Sequence, residues 1–517
     1  MIALFKNPTL IFLFLIFILG LSLRFLYFPG NIYFGFDQAR DAFTSLEIMQ
    51  GDFKIIGPTT SLPGLFHGPL YYYIFGPIYF FTGGNPEAVS TFLRIVNALG
   101  IFVIFFIGRT IFNRWVGLMS AFLFAISFEQ TQFSIYLNHP ALAVISVLIF
   151  YLGFALIFFK KKPLGFVAVA IGLGLSIQFE MAETYLVIPL ILYLIIFRKN
   201  LKILNKRTVI LSVSIFLLLI STFILAEIKF GFRSFITVRQ SLTESSNAVY
   251  FQNIVLVNLR SISDNLISYP LGAKLLGLIL LITAVIFIYK NRYRKEIIFL
   301  LIWFFSGNLP YIKDTSSIPL YYHIAGSTVT LLIFSGFLIY KLSLTTYAVK
   351  LFQINRLFIL LLLIPVISNY NLITTLNPKG SIPAINVQSG MLYSDQKKVL
   401  DFIYKEADSQ PFSVNALTMP FNINTVWSYM FEKYGNQTYG YVPVWGGDAA
   451  QGYPGKITVE KNGSKLPQKR FFIIEPNRGI PQYLIDGLQK DEDVFSKKIK
   501  EEKIGEFIVQ SRIAQEH

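Results

Sequence analysis

Cysteine is absent from the 517-residue chain, histidine and tryptophan occur four times each, and only 14% of the residues are charged. Without cysteine there is no disulfide, no thiol nucleophile and no cysteine-based metal site, and the redox compartment is left open. So little charge beside 54% hydrophobic residues excludes an ordinary cytosolic enzyme, because the chain carries more apolar side chain than one soluble core can bury. No Walker loop, HExxH signature or dinucleotide fingerprint stands in a supporting context, which removes the usual sequence evidence for ATP-driven transport and zinc proteolysis of that type. No internal repeat or low-complexity tract stands out.

What is abundant is aromatic and aliphatic. The 52 Phe and 28 Tyr lie in apolar runs of about twenty residues separated by short Lys and Arg clusters, the pattern of a polytopic α-helical membrane protein. A helix rises about 1.5 Å per residue and must cross about 30 Å of hydrocarbon. On that measure eleven spans are predicted, near residues 8–28, 88–111, 115–128, 138–159, 163–179, 184–197, 208–227, 270–289, 296–311, 322–340 and 356–370. The third, fifth and sixth are short, so their outer ends are expected at an aqueous cavity. The first is read as an uncleaved helix, because Tyr27, Phe28 and Pro29 lack the small-residue pattern of a cleavage site.

With the N-terminus in the cytoplasm, 18 of the 28 basic residues up to Tyr370 fall on the inner side, as the positive-inside rule requires. Of the 13 acids in the same stretch, Glu296 alone falls inside. Their one-sided placement suggests an outward-facing site in a multi-pass protein of the cell membrane. Beyond Tyr370 the hydropathy collapses, and helix-like stretches (QKKVLDFIYKEA, NTVWSYMFEKYG) alternate with strand-like ones (PFSVNAL, RFFIIEP, EFIVQS). The expected domains are therefore a transmembrane unit, 1–371, with a long outer loop at 29–87, and a small extracytoplasmic α/β domain, 372–517. The net charge of +16 comes from 28 basic against 13 acidic residues up to Tyr370, and 17 against 16 beyond it. The excess lies between spans, so nucleic acid is not an expected partner.

Asp37-Gln38-Ala39-Arg40-Asp41 follows the first span. A carboxylate three residues before an arginine on one helical face can serve as a general base beside a phosphate-binding cation, and it also reads as a solvated helix start with an i to i+3 ion pair. The aromatic stretch after His67-Gly68-Pro69-Leu70 reads as an interfacial belt or a re-entrant segment. His67, His139 and His323 all fall at outer helix ends, where each can contact a phosphate, hold a divalent metal with a carboxylate such as Glu129, or serve as an ordinary hydrogen-bonded polar residue. Glu180 and Glu183 sit between two short spans, either in a wet loop or facing a polar cavity. Snorkelling accounts for Arg24, whereas Arg94, after the aromatic stretch, is a candidate to share the cavity of Asp37. No cofactor is fixed by the sequence, and a divalent metal is the candidate.

The order of FDQARDAF, FHGPLYYYIFGPIYFFTGG, TFLRIVNALGIFVIFFIGRTIFNRWVGLMSAFLFAIS and NHPALAVISVLIFYLGFAL over roughly residues 8–200 resembles the GT-C glycosyltransferases, in the branch of protein O-mannosyltransferases and lipid A aminoarabinose transferases. Gln38 stands where that family usually has Glu, and Gly68 where relatives often have Pro or Lys. YYHIAGSTVTLLIFSGFLIY resembles the region in which relatives contact the donor, with His323 in place of an Arg-Tyr arrangement. The resemblance implies an inverting transfer of a sugar from a polyprenyl-phosphate donor to a lipid, glycan or protein acceptor. Asp37 would be the catalytic base, and Arg40, His67, Arg94 and His323 candidates to stabilise the leaving phosphate. A transporter or flippase, and an inactive lipid-glycan binding protein, are the alternatives.

Overall fold

The computed structural model describes residues 7–60, 62–244, 251–291, 293–313, 326, 328–349, 352–381, 389–447, 457–460, 466–476 and 478–515. Eight helices build its N-terminal part: α1 (Pro8–Phe25), α2 (Phe36–Met49), α3 (Leu70–Phe81), α4 (Pro86–Ile111), α5 (Arg114–Ile126), α6 (Phe128–Ile135), α7 (Pro140–Lys160) and α8 (Gly165–Phe179). Local chemistry sets their starts. Asn7 and Asn85 cap α1 and α4 by accepting from Thr9 and Glu87 N–H, each with proline at the first helical position, and Asn113 caps α5. A helix stands at each of the eleven expected spans. Among the described residues four are long and apolar enough to cross a membrane alone: α1, α4, α7 and Pro270–Tyr289. A fifth span is counted if Lys206–Leu219 and Ser221–Phe230, bent by 50° at their junction, are taken as one. The third, fifth and sixth runs are indeed short helices.

Helices α7 and α8 cross closely because glycine faces glycine. A Cβ on Gly153 would lie 2.6 Å from the Gly165 carbonyl oxygen, so neither position accepts a side chain. Buried aromatics fill the space on the far side, where Tyr151 stacks on Trp303 at 3.9 Å between ring centroids.

The polar C-terminal region folds into a six-stranded sheet of β1 (Phe412–Leu417), β2 (Val444–Gly446), β3 (Val459–Glu460), β4 (Lys469–Ile474), β5 (Ser496–Ile504) and β6 (Phe507–Ala514), in the order β3-β2-β1-β4-β6-β5. The first four are parallel, and β6 runs antiparallel to β4 and β5. Helices Tyr393–Ala407, Thr425–Met430 and Gln482–Phe495 accompany the sheet.

This domain grips the segment that leads into α2. The Phe34 N–H donates to the Met391 carbonyl at 2.8 Å, the Tyr393 N–H to the Ile32 carbonyl at 2.9 Å, and the Gln396 amide to the Phe34 carbonyl at 2.7 Å. Tyr429 packs edge-on to Phe43 of α2, and its hydroxyl donates to the Gly84 carbonyl at 2.7 Å.

Candidate functional site

Helix α2 starts at Phe36, and Gln38 at its third position accepts from the Gly35 N–H at 3.1 Å. The buried Gln38 side chain is thus spent on closing the helix end, which is the local reason for an amide beside Asp37. Asp37, in the first turn, is 41% exposed and meets Arg40 Nη1 through Oδ1 at 2.8 Å. Arg40 also holds buried Asp41 through Nε and Nη2, at 2.9 and 2.8 Å. Burial works against the Arg40 charge, but Asp41 and Asp37 outweigh it and hold the guanidinium well above its ordinary range. The Tyr72 hydroxyl donates to Asp41 Oδ1 at 3.2 Å. Among the described residues Arg40 is the polar partner of Asp37, so a fixed carboxylate is offered to solvent at a helix N-terminus.

Behind it lies a second group. His67 and His139 rings stand 4.2 Å apart, and Glu180 lies 3.5 Å from His67 Nδ1 and 3.8 Å from His139 Nδ1. Burial pushes the Glu180 carboxyl up to about 8, so the wet-loop reading of this residue fails: it is 3% exposed, with Oε1 accepting from the Ala182 N–H. Tyr71 joins the two groups, with its ring 5.2 Å from His139 and 4.2 Å from Tyr72. Gly68 is explained here. A Cβ at that position would meet Gln178 Oε1 at 2.1 Å, so the residue beside His67 must be glycine.

Ligand atoms of His67, His139 and Glu180 all lie within 4.8 Å of one another, a grouping that could hold a divalent cation with a small closing of the side chains. His139 suits this role: its Nδ1 lies 2.5 Å from the Phe179 carbonyl and carries the proton, which leaves Nε2 as the lone-pair nitrogen. His67 Nδ1 accepts from the Met181 N–H at 3.2 Å, and that bond would have to yield to a metal.

Glu129, expected as the carboxylate for the histidines, is placed elsewhere. Thr328 and Asn265 each donate to it at 2.5 Å, and its N–H reaches the Asp264 carbonyl at 3.1 Å. Burial raises its carboxyl to about 7. The sequence offers several outer acids and no local signal for which one meets the histidines.

Arg94 does not share the surroundings of Asp37. It is fully buried, donating to Ser90 Oγ, the Arg24 carbonyl and Asn31 Oδ1, with Phe28 under its guanidinium at 5.0 Å. Arg24 does not snorkel either. It is fully buried and donates to Asn97 Oδ1 at 2.7 Å and to the Gly20 and Ala125 carbonyls. Helix ends converge there, and their unpaired carbonyls satisfy a guanidinium that would otherwise seek water. His323 lies outside the described residues.

Sequence reasoning missed three features. Tyr71 and Tyr72 were submerged in an aromatic run whose only one-dimensional signal is an interfacial belt. An apolar groove of about 550 Å³, lined by Ile262, Leu280, Leu300, Phe304, Thr330 and Phe334 among others, lies between four helices that follow one another in the chain and that tertiary packing brings together. Ile262 is flanked along the chain by Arg260 and Asp264, paired at 3.3 Å, and Thr330 follows the Glu129 partner Thr328 by two residues, so polar residues stand next in sequence to two of the lining positions. The third is the docking of the C-terminal domain on the loop before Asp37.

Residues 66–225 match the family model described as dolichyl-phosphate-mannose-protein mannosyltransferase. No curated protein matches the sequence. The structure is similar to that of ArnT from Cupriavidus metallidurans bound to undecaprenyl phosphate, with a TM-score of 0.61 and 12% identity over 96% of this chain and 97% of that one. It is also similar to the oligosaccharyltransferase AglB from Archaeoglobus fulgidus in complex with an inhibitory peptide and a dolichol-phosphate, with a TM-score of 0.53 and 14% identity over 85% of this chain and 64% of that one. The apo form of the archaeal enzyme gives a TM-score of 0.54 at 14% identity, over 83% and 64% of the two chains. The fold is therefore that of the GT-C glycosyltransferases, an integral membrane helical body with a C-terminal α/β domain.

Proposed function

We propose that the chain transfers a sugar from a polyprenyl-phosphate donor to an extracytoplasmic acceptor hydroxyl with inversion, and that Asp37 is the general base. The observation that carries this reading is the exposed carboxylate of Asp37, fixed by Arg40 at the start of α2 above a body of apolar helices. The acceptor oxygen attacks the anomeric carbon on the face opposite the phosphate, Asp37 takes its proton, and the bond from the anomeric carbon to the phosphate oxygen breaks. The lipid phosphate leaves with the electron pair. Arg40, held between two carboxylates, orients the base. The apolar groove suits the polyprenyl chain, and Arg260, two residues before the lining residue Ile262, is the cation suited to the phosphate. The histidine group is assigned to holding the site's inner wall, with a divalent cation where His67 gives up its bond to Met181. The family match and the likeness to a structure bound to undecaprenyl phosphate support a lipid-phosphate donor.

Asp37→Asn keeps size and much of the hydrogen bonding but cannot accept the proton. Donor binding should survive while release of polyprenyl phosphate falls by at least about a hundredfold. Near-normal release would end the reading, and a transporter would release none with either protein.

Orientation is a separate prediction. The chain has no native cysteine, so a cysteine at Tyr483 should react with a membrane-impermeant thiol reagent in intact cells while one at Ser343 should not. The reverse pattern would invert the topology.

A further inference from the structure

The C-terminal domain contains a cleft of about 840 Å³ far in sequence from Asp37, between the ends of β1 and β2 and the helix Gln482–Phe495. Its inner wall is built from Asn415, Trp445 and Glu492, all buried, and its rim from Asn422, Tyr483 and Asp491, all exposed. Strands β3, β2 and β1 are parallel neighbours, and Phe421 and Asn422, which follow β1, close the cleft on the carboxyl-end side of the strands, where open parallel sheets hold ligands.

The chemistry of the lining selects a ligand. Glu492 is neutralised by Arg470, which reaches it through Nε and through Nη2 at 2.9 Å and also donates to the Gly446 carbonyl. Among the described residues no lysine or arginine lines the cleft, and Asp491 adds a negative charge at its rim, so the lining favours a neutral occupant over a phosphate. Asn415 donates one amide hydrogen to Glu492 at 2.9 Å and accepts from the Ala416 N–H, which leaves its second hydrogen and second lone pair for a ligand. Trp445 is 3% exposed, and its indole N–H has no acceptor among the described residues.

Gly487 is a second, independent sign. It sits mid-helix, where glycine costs about 1 kcal/mol relative to alanine. A Cβ there would meet nothing within 4 Å, so no packing demands the glycine, yet it lines the cleft and deepens it. Aromatic surfaces beside an amide with a free donor and a free acceptor match a pyranose, which has an apolar C–H face and an edge of vicinal hydroxyls.

The geometry points to this cleft as a binding site for a neutral saccharide, separate from the site of transfer. It would hold glycan on the domain that grips the loop before Asp37, and it does not depend on Asp37 being the base. The full-length protein in nanodiscs is titrated with two neutral tetrasaccharides, one of glucose and one of mannose, following tryptophan fluorescence, to which Trp445 contributes as one of four tryptophans. A saturable change is expected with at least one sugar. Gly487→Leu fills the cleft and Tyr483→Ala removes its rim, and each should weaken binding by at least about tenfold, the effect of losing one good contact. Asp37→Asn should bind as wild type does. The absence of a saturable change with either sugar, wild-type affinity in Tyr483→Ala, wild-type affinity in a folded Gly487→Leu, or equal competition by inorganic phosphate overturns the inference. Loss of transfer in Asp37→Asn with the titration intact separates this inference from the proposed reaction.

Discussion

In the membrane-spanning part Arg24 and Arg94 are fully buried with each guanidinium nitrogen donating to a neutral oxygen, whereas in the C-terminal domain Arg470 and Arg512 are buried against the carboxylates of Glu492 and Asp493. The first pair lies where the ends of α1 and α5 meet, and helix ends present carbonyls that carry partial negative charge. No acid is needed there. The lesson concerns the acids, because Asp37, Asp41 and Glu180 are thereby not consumed as counter-ions of the buried arginines and remain with the site. In the sheet domain each buried guanidinium reaches one backbone carbonyl, of Gly446 or Ser496, and its charge is matched by a carboxylate side chain.

Mutation can break this contrast. Glu492→Gln leaves the Arg470 guanidinium buried without its counter-charge and should cost about 3 to 5 kcal/mol, read as a large fall in the thermal midpoint of the C-terminal domain. Arg24→Met removes the charge together with its burial cost and leaves only carbonyl and amide acceptors unmatched, so about 1 to 3 kcal/mol is expected. If Arg24→Met proves the more damaging, the carbonyl-satisfied arginine is the more important charge and the contrast is wrong.

A smaller effect comes from pH. Glu475, buried in the C-terminal domain, is raised by burial to about 8, against the donated hydrogen bonds of Met419 and Trp427. Between the ordinary carboxylate range and about 8 the folded protein keeps a proton that the unfolded chain releases. Stability contributed by that proton is present at low pH, falls as pH rises through this window, and levels off above about 8. The slope from one such group is at most about 1.4 kcal/mol per pH unit. Glu475→Gln should flatten the fall in thermal midpoint with pH, and an unchanged slope would show that Glu475 is ionised in the folded state.

The sequence revealed these parts unevenly. Asp37 and Arg40 were readable because an i to i+3 pair on a helix is a local geometry, and the ion pair is formed as that spacing predicts. His67, His139 and Glu180 were each visible as outer polar residues, but their meeting depends on how α3, α7 and α8 cross, and spacing favoured no particular carboxylate over Glu129. Arg94 was misplaced for a similar reason. From its position after the aromatic stretch it read as a cavity residue, while its acceptors Asn31 and the Arg24 carbonyl come from more than sixty residues away.

Hydropathy and capping by themselves determined the membrane class, the helical state of the expected apolar runs and the change of character after Tyr370, because burial in lipid and the closing of a helix end are decided by residues next to one another in the chain. Tertiary structure decided which acid faces the histidines, that two arginines are satisfied by neutral oxygens, and that the C-terminal domain clasps the loop before Asp37. Those outcomes rest on close approaches such as Gly153 to Gly165 and on hydrogen bonds spanning hundreds of residues, such as Gln396 to the Phe34 carbonyl. Contacts of that kind exist only once the whole chain has packed, and no window of sequence contains them.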